Sequence, residues 1–194
     1  MQADQLIGSG GLALGGPLLL TPRLFGDGRG FFFESWNQRS FEALAGPVAF
    51  VQDNHSRSAQ GVLRGLHYQL PPQPQGKLVR CVVGEIFDVA VDLRRSSPTF
   101  RHWAGTRLNA ATHQQLWVPA GFAHGFLTLS DQAEVLYKTS DYWSKPCERA
   151  IRWDDPELAI AWPLAALGGT SPQLSEKDGD APLVAELAPG ELFP

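Results

Sequence analysis

Thiols are scarce in this chain. Cys81 and Cys147 are the only cysteines in 194 residues, and they form no CxxC pair. Neither a disulfide scaffold nor a thiolate zinc site fits that count and spacing. Long apolar runs are missing too. No stretch approaches the roughly 20 residues that a membrane span needs. The opening MQADQLIGSGGLALGG has neither the basic start nor the continuous apolar core of a secretion signal. The reading is a cytoplasmic protein without a membrane partner. Positive charge is not in excess: 16 Lys and Arg face 20 Asp and Glu, a net charge of -4. That balance gives no ground to expect a nucleic acid, and an anionic ligand has to be held by a local cluster of cations. Metal and nucleophile motifs are also lacking. His55, His67, His102, His113 and His124 show no His-x-His spacing, and in HYQ the second donor would be Gln69, a poor ligand. The expectation is therefore no metal and no cofactor, with a site built from His67, His124 and a distant carboxylate as the alternative. No GxSxG occurs, and Cys81 lies in the apolar run RCVVG, where a thiol is inert.

What the chain does have is Gly and Pro, 20 and 15 of them, in a composition that is 43% hydrophobic and 19% charged. Many turns between short elements favour an all-β domain over a helical bundle. Strand-type segments recur along the chain: PLLLTPRLF (17–25), then the turn GDGRG, then FFFESW (31–36). AFVQDNHS (49–56) and GVLRGLHYQL (61–70) follow. KLVRCVVG (77–84) and EIFDVAVDLR (85–94) read as a hairpin around Gly84–Glu85, and in the second Phe87, Val89, Val91 and Leu93 alternate with Asp88, Ala90 and Asp92. FRHWAGTRLN, QLWVPAGFAHGFLTLS and AEVLYKTSDYW complete the set. NQRSFEALA (37–45) reads as one short helix with Asn37 as its cap. No βαβ alternation and no internal repeat occur, which leaves a sandwich or barrel of the jelly-roll type. Residues 1–16 read as a flexible Gly-rich leader, 17–163 as the jelly-roll domain, and 164–194 as an extension of a short helix and loops carrying LSEKDGDAP.

Several ionisable or polar side chains interrupt apolar strands: His67, His124 in PAGFAHGFL, Tyr137 in VLYK and Lys77 at the head of KLVR. Arg29 sits in DGRG, Glu34 follows three phenylalanines, and Gln52 and Asn54 break FVQDN. Burying such groups is costly unless they are paired, and a β-barrel interior is a usual place for a ligand cavity. Acid–base chemistry suits them. His67 has the unperturbed pKa of a general base. Tyr137 can be the acid, Lys77 can stabilise an oxyanion, and Asp178 or an acid of the 85–94 segment can orient the base. Arg29, Arg64 and His124 suit an anionic handle such as phosphate.

At these residues the chain resembles the dTDP-4-dehydrorhamnose 3,5-epimerase family. The matching stretches are FGDGRGFFFESWN, FVQDNHSRSAQGVLRGLHYQ, QGKLVRCVVGEIFDVAVDLRRSSPTF, QLWVPAGFAHGFL, YKTSDYW, ERAIRWDDP and LSEKD, in the family's order across residues 20–180. The resemblance implies an all-β, cupin-type jelly-roll barrel with short peripheral helices, metal-free, assembled as a homodimer with exchanged N-terminal strands. It implies dTDP-4-keto-6-deoxy-D-glucose as substrate and dTDP-4-dehydro-L-rhamnose as product. Carried over by motif, His67 would be the base for C3 and C5, with Asp178 as its partner. Tyr137 would be the acid, and Lys77 would stabilise the C4 enolate. Arg29, Glu34, Gln52, Asn54, Arg64, His124, Glu148 and Lys177 fall on nucleotide-sugar positions. Trp143 stands where the family commonly has a Tyr that stacks on thymine, and PLVAELAPGELFP has no counterpart. A 3-epimerase or a 3,4-ketoisomerase on a related sugar is the alternative outcome, and a sugar-nucleotide-binding module without catalysis is a rival of another class. One difficulty stands out in GVLRGLHYQL: strict alternation puts Arg64 and His67 on opposite faces. If both serve one site, either the strand bulges or twists sharply at Gly61 or Gly65, or Arg64 reaches the site from the strand's end or from the partner subunit.

Overall fold

Gly84 carries the chain from one sheet to the other. The computed structural model describes residues 1–194, and in it β7 (Lys77–Val83) and β8 (Glu85–Asp92) lie in different sheets. The hairpin expected around Gly84–Glu85 is therefore a crossover. β7 pairs with β10 (Gln115–Val118) and β12 (Gln132–Thr139), whereas β8 pairs with β9 (Trp103–Asn109) and β11 (Phe122–Thr128). Gly84 has φ +75°, and a Cβ there would collide with the carbonyl of Gln132. A tight hairpin and a sheet-changing corner both call for such a glycine, so the local pattern is the same for either.

The remaining strands complete two antiparallel layers. The six-stranded sheet runs β1 (Gln2–Ile7), β2 (Ala13–Thr21), β10, β7, β12, β5 (Gln52–Ala59). The five-stranded sheet runs β13 (Glu148–Ala150), β6 (Leu63–Gln69), β11, β8, β9. A short ribbon of β3 (Phe25–Asp27) and β4 (Gly30–Phe32) stands apart, with the expected turn at its tip. This is the all-β jelly roll that the residues and the resemblance imply. Helix α1 (Gln38–Ala45) forms as expected, and the Asn37 side chain accepts a hydrogen bond from Ser40 N at 3.0 Å.

Residues 1–16 differ from the expectation. They are not a loose leader: β1 pairs with β2 from Gln2↔Thr21 to Ile7↔Ala13, and Leu14 is buried in the core. The glycines there serve a turn, with Gly11 at φ +80° and Gly8 N donating to the carbonyl of Leu12.

Three apolar clusters hold the layers. Leu14, Val79, Ile86, Ala90, Leu116, Phe122, Phe126 and Val135 join both sheets across the interior. A second cluster lies on the outer face of the five-stranded sheet, where Val89, Val91, Leu93 and Tyr68 meet Leu158, Trp162, Leu167, Val184 and Phe193. The third packs Phe41 of α1 onto Leu20, Leu78 and Trp117, outside the six-stranded sheet. The alternation of β8 is thus real but inverted in meaning. Its aliphatic row faces outward beneath the C-terminal segment, and its row with Asp88 and Ala90 faces the barrel interior. The tail is strapped down by Tyr68 Oη donating to the carbonyl of Glu191 at 2.8 Å and by Phe193 N donating to the carbonyl of Leu93 at 3.2 Å.

Candidate active site

One extra residue in β6 decides the geometry. In the pairing of β6 with β11, His67 faces His124 and Arg64 faces Phe126, so three steps on β6 match two on β11. That bulge reverses the parity of the strand. It sits at Gly65, φ +120°, where a Cβ would come 2.5 Å from Gly125 Cα and 2.8 Å from the carbonyl of His124. Only a glycine permits this approach, and it lets Arg64 and His67 line the same cavity of about 530 Å³.

The walls of the cavity come from both sheets. β6 supplies Arg64 and His67, and β11 supplies His124 and Phe126. From the six-stranded sheet come Lys77 at the start of β7, Tyr137 in β12 and Ser56 in β5. The rim carries Trp143, Glu148 and, from the short helix α2 (Glu176–Gly179), Lys177 and Asp178. Ser175 caps that helix by accepting from Asp178 N at 3.2 Å, and this presents the Asp178 carboxylate to His67.

His67 and Asp178 form a dyad, with Nε2 of the imidazole 2.6 Å from Oδ1. A carboxylate partner requires the proton on Nε2, which leaves Nδ1 with its lone pair. Burial pushes the His67 pKa down; the hydrogen bond to Asp178 opposes this, and the nearby Lys77 charge adds to it, so the net shift is downward. Burial is the largest single effect on Asp178 and acts to raise its pKa, but the bond and field of His67, together with the bonds from Ser175 and the Gly65 backbone, hold the carboxyl below the usual range. The ring is thus a neutral base beside an ionised orienter. Tyr137 is pushed up by burial, with Arg64 opposing, and keeps its proton. Lys77 is buried, donates from Nζ to the carbonyl of His67 at 3.3 Å, and is driven down by burial to about 8 against the fields of Glu148 and Asp88. Lys177 and Glu148 pair at 2.7 Å across the rim.

His67, Asp178, Tyr137, Lys77, Arg64, His124, Trp143, Glu148 and Lys177 therefore meet at one place. Gln52 and Asn54 stand just behind it. Gln52 accepts from the backbone N–H of Trp143 at 3.0 Å and donates to Asn54 Oδ1 at 2.9 Å, so it fixes the rim loop without lining the cavity of its own chain. Arg29 and Glu34 are not brought there within one chain. Arg29 is at the tip of the β3–β4 ribbon, its side chain 91% exposed and clamped to Asp27. No group of three or more His, Cys, Asp and Glu side chains is gathered anywhere at metal-binding distance. The Nε2 atoms of His67 and His124 are instead taken up by separate carboxylates.

Sequence reasoning missed Ser56 and Phe126, and it missed the part that Asp88 plays. An acid of the 85–94 segment is the expected alternative partner for His67, but Asp88 bonds to His124 instead, at 2.5 Å. The signal was present in the alternation of β8, but alternation does not say which row faces inward.

Residues 11–186 match the family described as dTDP-4-dehydrorhamnose 3,5-epimerase. The dTDP-4-dehydrorhamnose 3,5-epimerase of Pseudomonas aeruginosa is 61% identical over 184 residues, which covers 94% of this chain and 97% of that protein. Among solved structures, a dTDP-6-deoxy-D-glucose-3,5-epimerase from Legionella pneumophila, in complex with dTDP-4-keto-L-rhamnose, superposes with a TM-score of 0.89 at 44% identity. It covers 99% of this chain and 98% of its own. The Mycobacterium tuberculosis epimerase gives a TM-score of 0.91 at 41% identity over 100% of this chain and 94% of its own.

Proposed function

The chain belongs to the dTDP-4-dehydrorhamnose 3,5-epimerase family and is an isomerase, and from that premise we propose how its cavity works. The substrate is dTDP-4-keto-6-deoxy-D-glucose, which the enzyme converts to dTDP-4-dehydro-L-rhamnose. The C4 ketone acidifies the protons on C3 and C5, so each centre can invert through an enolate without a redox step. His67, held by Asp178, removes each proton. The Tyr137 phenol returns a proton from the other face, and the Lys77 ammonium stabilises the charge that builds on the C4 oxygen. The observation that carries this reading is the His67–Asp178 dyad on one sheet facing Tyr137 and Lys77 on the other across a single cavity. Arg64, His124, Glu148 and Lys177 hold the diphosphate and sugar, and Trp143 offers its indole face to the thymine.

The protein works as a homodimer with exchanged N-terminal strands, in which each ribbon brings Arg29 and Glu34 to the partner's cavity and meets Gln52 and Asn54 behind it. Support comes from the ribbon itself, whose Phe25, Phe31 and Phe32 are 52%, 63% and 71% exposed, an apolar surface without a cover in one chain. The setting is the cytoplasm, which suits two free, buried thiols.

Incubation with dTDP-4-keto-6-deoxyglucose in heavy water, followed by NMR, tests the chemistry. Deuterium entering at both C3 and C5 supports it, entry at C3 alone indicates a 3-epimerase, and migration of the ketone indicates an isomerase of the 3,4 type. No exchange by folded protein sinks all three. A positioned base contributes roughly 10²–10⁴-fold, so His67→Ala should lower turnover by at least that range while leaving the fold intact. Near-normal exchange in this variant would remove His67 from the mechanism.

A further inference from the structure

The cavity holds a second His–Asp pair, and the scheme above gives its carboxylate no part. His124 and His67 are direct cross-strand partners on β11 and β6, and each ring has its own carboxylate. For His124 this is Asp88 on β8, with Oδ1 2.5 Å from Nε2. Asp88 has no exposed surface, and its other oxygen, Oδ2, has no hydrogen-bond partner. The inward row of β8 around it contains Ile86 and Ala90, members of the apolar cluster between the sheets. A charge buried in such company with half its acceptors unpaired works against stability. An uncharged Asn would fill the same space and accept the same bond, so packing does not call for an acid here.

We propose that Asp88 is a positioning residue of this reaction, holding His124 in the Nε2–H tautomer so that Nδ1 presents its lone pair to a hydroxyl of the bound sugar. An aspartate can only accept, so it enforces one tautomer. An asparagine can turn either its oxygen or its amide group toward Nε2 and enforces neither. The buried negative charge has a second consequence. Asp88, after Glu148, is one of the two carboxylates whose fields oppose the effect of burial on Lys77, while Lys177 acts in the other direction. Asp88 thus works on two cavity groups without touching substrate.

The inference rests on the proposed epimerase reading, and one set of measurements separates the two. Wild-type protein that fails to exchange deuterium at C3 and C5 defeats that reading, whatever Asp88 does. With exchange established, Asp88→Asn is compared with wild type in kcat, in KM and in the tautomer of His124, read from long-range proton–nitrogen correlation spectra of the nitrogen-labelled protein. The expected result is an Nε2–H signature in wild type that is lost or mixed in the variant. With it should come a fall in kcat of roughly 10–100-fold, with KM changed by less than about threefold. An Nδ1–H tautomer in wild type overturns the inference before any variant is made, which covers the case of a variant that does not fold. In folded Asp88→Asn, an unchanged tautomer or a wild-type kcat overturns it equally.

Discussion

In the proposed mechanism, His67 and Lys77 bracket the pH range in which the cavity can act. Burial and the neighbouring ammonium place the His67 pKa below its ordinary 6.5, so the neutral base persists into mildly acid solution and is lost only on further acidification. Lys77 sits near 8, so the cation assigned to the enolate in that mechanism is lost as pH rises through that value. A bell-shaped profile of kcat/KM is expected, with its acid limb below 6.5 and its alkaline limb near 8. An acid limb above 6.5 would contradict the assignment of His67. Lys77 also bears on stability. Its folded pKa lies below its unfolded 10.5, so the unfolded chain binds more protons between about 8 and 10.5 and stability rises with pH through that window. Below it the full cost of the buried ammonium is present, on the order of 3 kcal/mol. Lys77→Met should therefore raise the urea midpoint at neutral pH, by about 1–3 kcal/mol in unfolding free energy, while turnover collapses. A destabilised variant would show that Asp88 and Glu148 depend on the cation more than burial penalises it. At this scale much was readable in the chain: Lys77, His67 and Tyr137 are ionisable groups inside apolar strands, and burial shifts all three. Asp88 was hidden because an acid in an alternating strand looks like a solvated one.

The β6 strand shows what a single element adds. Its sequence alternates as though Arg64 and His67 point apart, and the bulge at Gly65 puts them on one side. The bulge depends on the close approach of Gly65 and Gly125, where a Cβ on Gly125 would come 2.8 Å from the carbonyl of Arg64. Gly65→Ala should cost several kcal/mol, on the order of 3 or more, from the positive φ and the backbone collision together. Loss of activity should accompany it even where folded protein is recovered, because Arg64 and His67 would no longer share a wall. A folded, fully active Gly65→Ala would mean that the parity reversal does not matter. Gly61 and Gly65 marked the place from sequence alone. Which of several irregularities they served depended on β11, which lies more than fifty residues away in the chain.

For the whole molecule, the separation of Arg29 and Glu34 from the cavity of their own chain sets a clear expectation. Exchange of ribbons in a symmetric dimer would deliver each to the other subunit. An Arg29→Ala variant should show a raised KM, and His67→Ala should be inactive. Co-expressed, the two should yield mixed dimers with one intact site, and with random pairing roughly a quarter of wild-type activity returns. No recovery in mixed dimers isolated by dual tags would place Arg29 outside the partner's site. The C-terminal segment belongs to this scale as well. PLVAELAPGELFP offered no motif, yet Val184 and Phe193 seal the outer aliphatic row of β8.

By itself the sequence determined the strand-rich architecture, the capped helix at 38–45 and the cast of ionisable residues. Each of these follows from local chemistry: turn residues, a period of two, a side-chain cap, and charged groups in apolar runs. The tertiary structure alone decided that residues 1–16 pair into the sheet, that β7 and β8 part at Gly84, and that the Asp88 row of β8 faces inward. Only there, too, do Arg64 and His67 meet. These outcomes depend on which distant strand lies alongside, and a one-residue bulge or a change of sheet reverses a face without altering the local pattern.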